Sequence, residues 1–111
     1  MTLQNPLPIL WLSALCLAAL PAAAADAPAS APPSPAAVVN MISNCYSCHG
    51  TDGRSPGSIP SLTGKNAEQA LLVLTGFKSG QLSATVMTRH AKGYTDAELE
   101  ALANYIGTQL K

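Results

Sequence analysis

Two thiols and an imidazole fall within five residues at Cys45-Tyr46-Ser47-Cys48-His49, and the chain has only one other cysteine, Cys16. No other feature narrows the possible folds as much. On a helix, positions i and i+3 project to the same side, so Cys45 and Cys48 can grip one group with His49 adjacent. Four chemistries use such a spacing: a redox dithiol, a zinc site, a local disulfide, and the covalent attachment of a c-type haem. What surrounds the motif decides between them.

The first 25 residues carry no charged side chain, so all twelve charges lie in 26–111. Residues 9–20 (ILWLSALCLAAL) form an apolar run of twelve. That is short for a bilayer span, which needs about 20 residues. Pro21 and four alanines follow, the small-residue pattern of a signal-peptidase site, so 1–25 reads as a signal peptide cleaved after Ala25, with Ala24 the next choice. The n-region lacks Lys and Arg, and the alternative is an uncleaved membrane anchor. Cys16 does not suit a lipoprotein, because bulky Leu15 precedes it. A periplasmic location follows, with no stable membrane span after cleavage. Residues 26–35 (DAPASAPPSP) lack amide donors at each Pro and read as a solvated linker. The folding unit is then 36–111.

Six Lys/Arg balance six Asp/Glu. Nucleic-acid binders normally carry a basic excess to neutralise phosphate, so no nucleic acid is expected as partner. A domain this small buries little apolar surface and usually needs a staple. Removal of Cys16 with the signal leaves Cys45 and Cys48, whose loop is too short to make an effective disulfide staple.

Helical periodicity accounts for most of the domain. The first helix starts with Ser34 as N-cap and Pro35 at its first position, and it stops at Gly50. Val38, Ile42, Cys45 and His49 share its inner face. The second opens at Asn66 with Gln69 in a capping box and buries Ala70, Val73, Leu74 and Phe77, while Gly76 weakens its last turn. The third opens at Thr95 with Glu98 and Asp96, and it buries Leu99, Leu102, Ala103, Ile106 and Leu110. No stretch alternates for long enough to make a strand. Residues 51–65 and 80–94 lack periodicity and read as long loops, a length that implies a function or a ligand. The fold class is all-α: three main helices and long loops around a bound group.

This setting removes the redox-dithiol reading, which belongs with a βαβ unit. Zinc needs four ligands, and only His90 and carboxylates could complete the set. A disulfide leaves His49 unexplained. One covalently attached haem c satisfies the motif and supplies the missing apolar core. His49 is then the proximal ligand. Met41 stands one turn before Cys45 and cannot reach the far face, and Met1 leaves with the signal. Met87 is the distal choice, with His90, three residues later, the alternative that would give bis-His iron.

The run CYSCHG, then Pro60-Ser61-Leu62-Thr63-Gly64, a late Met87 and the terminal helix YTDAELEALANYI together resemble a class I cytochrome c across the mature domain. Thr85-Val86-Met87-Thr88-Arg89-His90-Ala91-Lys92-Gly93-Tyr94-Thr95-Asp96 is similar to the haem domains of the cytochrome subunit of flavocytochrome c sulfide dehydrogenase, where Met, Arg, Ala-Lys-Gly-Tyr and Asp recur in this order. The resemblance implies thioether links at Cys45 and Cys48, axial ligands His49 and Met87, and a Pro60 carbonyl that accepts the proximal imidazole N–H. It also implies an FAD-containing sulfide dehydrogenase subunit as electron donor. Two features depart from that family: many members carry two haem domains where this chain has one motif, and His90 occupies a position where an apolar residue is expected.

The expected function is outer-sphere carriage of single electrons by Fe(II)/Fe(III) cycling, and not catalysis. Lys65, Lys78, Arg89 and Lys92 are candidates for a docking rim. A general soluble carrier to a terminal oxidase or other respiratory partner is the main alternative. A haem enzyme or gas sensor with an open distal site is another. A third is an interaction module that uses haem only as a staple.

Overall fold

The computed structural model describes residues 31–111, in the order α1 (Pro35–His49), a single 3-10 turn (Thr51–Gly53), α2 (Ala67–Ser79), α3 (Met87–Lys92) and α4 (Asp96–Gln109). The segment expected to be a signal peptide, with Cys16, and most of the expected linker lie outside the described residues. Among the described residues there is no strand, so the chain is all-α as expected.

Each longer helix begins where a side chain can satisfy amides of its first turn. The Ala37 N–H donates to Ser34 Oγ at 3.3 Å, with Pro35 next in line, so the last two linker residues build the head of α1. At α2 the Gln69 N–H donates to Asn66 Oδ1 at 2.8 Å, and the Asn66 N–H donates back to Gln69 Oε1 at 3.3 Å. Thr95 and Glu98 make the same reciprocal pair at α4. These are the three starts read from the sequence.

The loop expected at 80–94 is where the structure differs. Residues Met87–Lys92 form a six-residue helix whose N-cap, Val86, contributes no side-chain hydrogen bond. Fewer than two turns leave no periodicity to detect, and Ala91 is its sole buried residue. Arg89, His90 and Lys92 crowd its last turn, where positive charge complements the dipole.

The core forms where α2 and α4 pack together and α1 crosses α4. Ile42, Ala70, Leu99, Leu102, Ala103, Ile106 and Leu110 are buried together, including every residue expected on the inner stripe of α4. On α1, Val38, Ile42 and His49 are buried and Cys45 half-buried. On α2, Ala70 is buried and Leu74 and Phe77 half-buried, and the helix runs on through Gly76 to Ser79. Val73 is a correction: it is 40% exposed. The small residues of α2 seat it on α4, and this turns position 73 off the contact.

At Gly107 the two helices approach closely. A Cβ there would stand 2.8 Å from Ala67 Cα and closer still to Ala67 N, so the α4 backbone touches the first turn of α2. Gly107→Ala is therefore expected to cost about 1–3 kcal/mol through forced separation of the helices. The effect would be read as a lower urea midpoint at unchanged slope. An unaltered midpoint would mean that the two backbones do not meet there.

Candidate cofactor site

The final turns of α1 carry all three residues of the motif. Cys45 is half-buried, Cys48 exposed, and the two are unbridged. The Cys45 thiol donates to the Met41 carbonyl at 3.7 Å, and burial pushes its pKa above the ordinary thiol range. Tyr46 and Tyr105 both pack against the core and tie the motif to α4. The Tyr46 phenol is pushed up to about 12, first by burial and then by Tyr105.

His49 is the one buried polar residue among the described residues, at 7% exposure. Its Nδ1–H donates to the Pro60 carbonyl at 2.6 Å. A carbonyl only accepts, so the proton of the neutral imidazole sits on Nδ1 and the lone pair on Nε2. The ring is oriented and its tautomer fixed, the arrangement metal-binding histidines use.

Pro60 reaches this position because the chain turns back at the end of α1. Gly50 adopts φ +82°, and a Cβ there would run into the Arg54 carbonyl, so the reversal needs glycine. The Leu62 N–H donates to the Gly53 carbonyl at 2.8 Å, and the Ser55 N–H donates to Ser61 Oγ at 2.9 Å. These two bonds bracket Pro60.

Met87 is half-buried at the first position of α3, whereas His90, three residues on, is exposed. Of the basic residues, Lys65, Arg89 and Lys92 are exposed, while Lys78 is half-buried and pairs with Asp96 at 2.6 Å. Sequence reasoning missed a set of apolar side chains that the fold leaves at the surface. Ile59, Leu72, Leu82 and Val86 are between 41% and 71% exposed, and with Val73 they fall in the segment between the Pro60 loop and Met87. Ile59, Leu82 and Val86 stand in otherwise polar loops, while Leu72 and Val73 belong to α2.

The residues present suit an iron porphyrin. They offer two free thiols at i and i+3, an imidazole with Nε2 unprotonated, a thioether, and apolar side chains for a flat apolar ring. Zinc is not suited, because no group of three His, Cys, Asp or Glu residues able to hold a metal occurs among the described residues.

The Cytochrome c family model matches residues 36–109. The cytochrome subunit of sulfide dehydrogenase from Chlorobaculum tepidum is 48% identical over 68 residues, 61% of this chain and 62% of that protein. Cytochrome c-553 of Desulfomicrobium norvegicum is 39% identical over 67 residues, 58% of this chain and 84% of the relative. Cytochrome c-554(548) of Halomonas halodenitrificans is 35% identical over 78 residues, 67% of this chain and 94% of the relative. The chain thus spans less than two thirds of the first relative and most of the other two. It belongs to the cytochrome c family, as an electron-transfer protein with covalently attached haem c.

Proposed function

We propose that this chain is a periplasmic carrier of single electrons that accepts them from an FAD-containing flavoprotein of the sulfide dehydrogenase type. In this reading Cys45 and Cys48 would form the thioether links, His49 Nε2 and Met87 Sδ would hold the iron, and residues 1–25 would be the export signal. The observation that carries the ligand assignment is the His49–Pro60 hydrogen bond, which leaves one ring nitrogen free on a buried imidazole. The half-burial of Met87 against the exposure of His90 favours sulfur on the other side. Export is supported by the signal-like leader, and no helix among the described residues is long and apolar enough to cross a membrane.

Bound haem supplies the Fe(II)/Fe(III) couple. Pro60 holds the imidazole in one orientation and raises its basicity. Two ligands from the protein leave no position for substrate. Lys65, Arg89 and Lys92 offer positive charge for steering a partner, while Lys78 is already engaged by Asp96.

The donor is argued from the 48% identity to the sulfide dehydrogenase cytochrome subunit. A general soluble carrier is the second reading, favoured by the 84% and 94% coverage of two small cytochromes. Stopped-flow mixing of the oxidised protein with sulfide separates them. With a catalytic amount of a sulfide-dehydrogenase-type flavoprotein present, reduction is expected to accelerate strongly. A rate no different from that with sulfide alone would remove the flavoprotein as donor.

A further inference from the structure

Gly76 stands in the last turns of α2, where a glycine weakens a helix relative to alanine. Its φ is not positive, so the backbone conformation does not call for glycine there. A neighbour does. A Cβ at position 76 would stand 2.8 Å from both Cγ and Cδ1 of Leu82. The Leu82 N–H donates to the Gly76 carbonyl at 2.9 Å. The chain returns to its own helix through Gly80, at φ +81°, whose N–H donates to the Phe77 carbonyl at 3.3 Å. Leu82 is thus clasped to a bare stretch of α2 backbone by one hydrogen bond and by its own side chain.

The clasp lies where it can act on Met87. Only residues 83–86 separate the two, and of these Ala84 alone is half-buried. Behind Met87, α3 is anchored by buried Ala91 and by Tyr94, which packs against the core. In front of it the fixings are few. Val86 caps the helix without a side-chain bond, and the Thr88 hydroxyl reaches the Ala84 carbonyl at 3.4 Å, a weak tether. α3 packs on α2, so α2 is the platform from which Met87 is presented. Leu82 is the point at which the incoming chain is fastened to that platform.

We propose that Gly76 and Leu82 are positioning residues for the distal ligand: the missing side chain at 76 lets Leu82 seat on α2, and this seat sets where the Met87 sulfur stands. The proposal rests on Met87 as the axial ligand. Stability alone would favour the opposite choice at position 76, because alanine is the better helix former. Leu82 is 41% exposed, and the atoms that a methyl group at 76 would displace are the end of a flexible side chain. That end can swing outward while α2 and α4 stay in place. A methyl group at 76 therefore leaves the fold intact and shifts the ligand.

The test uses full-length holoprotein as wild type, Gly76→Ala, Leu82→Ala, Gly76→Ala/Leu82→Ala and Met87→Ala. The ferric proteins are titrated with imidazole, which competes with the thioether for the iron, and loss of the sulfur-to-iron charge-transfer band is followed. Each of the two clasp variants is expected to take up imidazole about tenfold more tightly than wild type. The double variant should bind no more tightly than the stronger single, because both substitutions remove one contact. Urea midpoints are measured in saturating imidazole, where Met87 is displaced from every protein, and Gly76→Ala should then match or exceed wild type. Wild-type imidazole affinity in either clasp variant, while Met87→Ala has lost the band, overturns the proposal and leaves the ligand assignment standing. Additive effects in the double variant also overturn it. So does a lowered Gly76→Ala midpoint in saturating imidazole, which would reduce the contact to closure of α2. A Met87→Ala protein that keeps the band overturns the ligand assignment and the proposal with it.

Discussion

Cys45→Ser/Cys48→Ser protein, expressed in a host that exports and matures the wild type, is expected to yield its pigment to acidified acetone and to lose its cooperative urea transition. The wild type should retain colour in the protein fraction under the same treatment. The expectation follows from how little core the chain has. Among the described residues, three of the nine buried hydrophobics are alanines, and only Ile42 and Leu99 are large and fully enclosed. A domain of this size seldom draws more than about 3–5 kcal/mol from its own core. Tethering converts binding of the ring from a bimolecular to an intramolecular event, with an effective concentration set by the link. Without the two thiols, His49 and Met87 must hold the group by coordination alone. The fold then depends on free cofactor concentration. Colour that survives acid acetone in the double variant would place the attachment elsewhere.

Met87→Ala is expected to abolish the sulfur-to-iron charge-transfer band of the oxidised protein and to lower the reduction potential. A fall on the order of 200 mV is anticipated, about a quarter of the roughly 0.8 V that axial ligands span in haem proteins. The direction follows from ligand softness. A thioether stabilises Fe(II) relative to Fe(III), and a nitrogen or water ligand does so less. Spectroelectrochemical titration measures both quantities in one sample. A variant with band and potential intact would remove Met87 from the site.

What could be read from the sequence was chemistry local to a few neighbouring residues. Ser34 with Pro35, Asn66 with Gln69 and Thr95 with Glu98 are short-range pairs, and each stands at a helix start in the structure. The inner stripe of α4 was equally legible, because five apolar positions over three turns leave one possible face. α3 was not, since a helix of six residues without a side-chain cap carries no repeat. Val73 was misplaced because the contact it was assigned to is set by the bare backbone at Gly107 and Ala67, and no period describes that meeting. The pairing of Lys78 with Asp96 and of Arg54 with the Lys111 carbonyl joins residues 18 and 57 positions apart, beyond any local pattern. In the site, Cys45, Cys48 and His49 stand out as a motif. The position of Pro60 opposite the imidazole was available only through resemblance.

The acceptor for His49 Nδ1 belongs to an exposed residue in an irregular stretch, while the imidazole itself is enclosed at the end of a helix. Irregular surface segments open at lower free energy than packed helices. On gentle warming, the Pro60 oxygen should drift before any helix yields, and the imidazole would become a poorer electron donor. A carrier built this way goes out of tune before it melts, and its useful temperature range is set by eleven residues of chain rather than by its core.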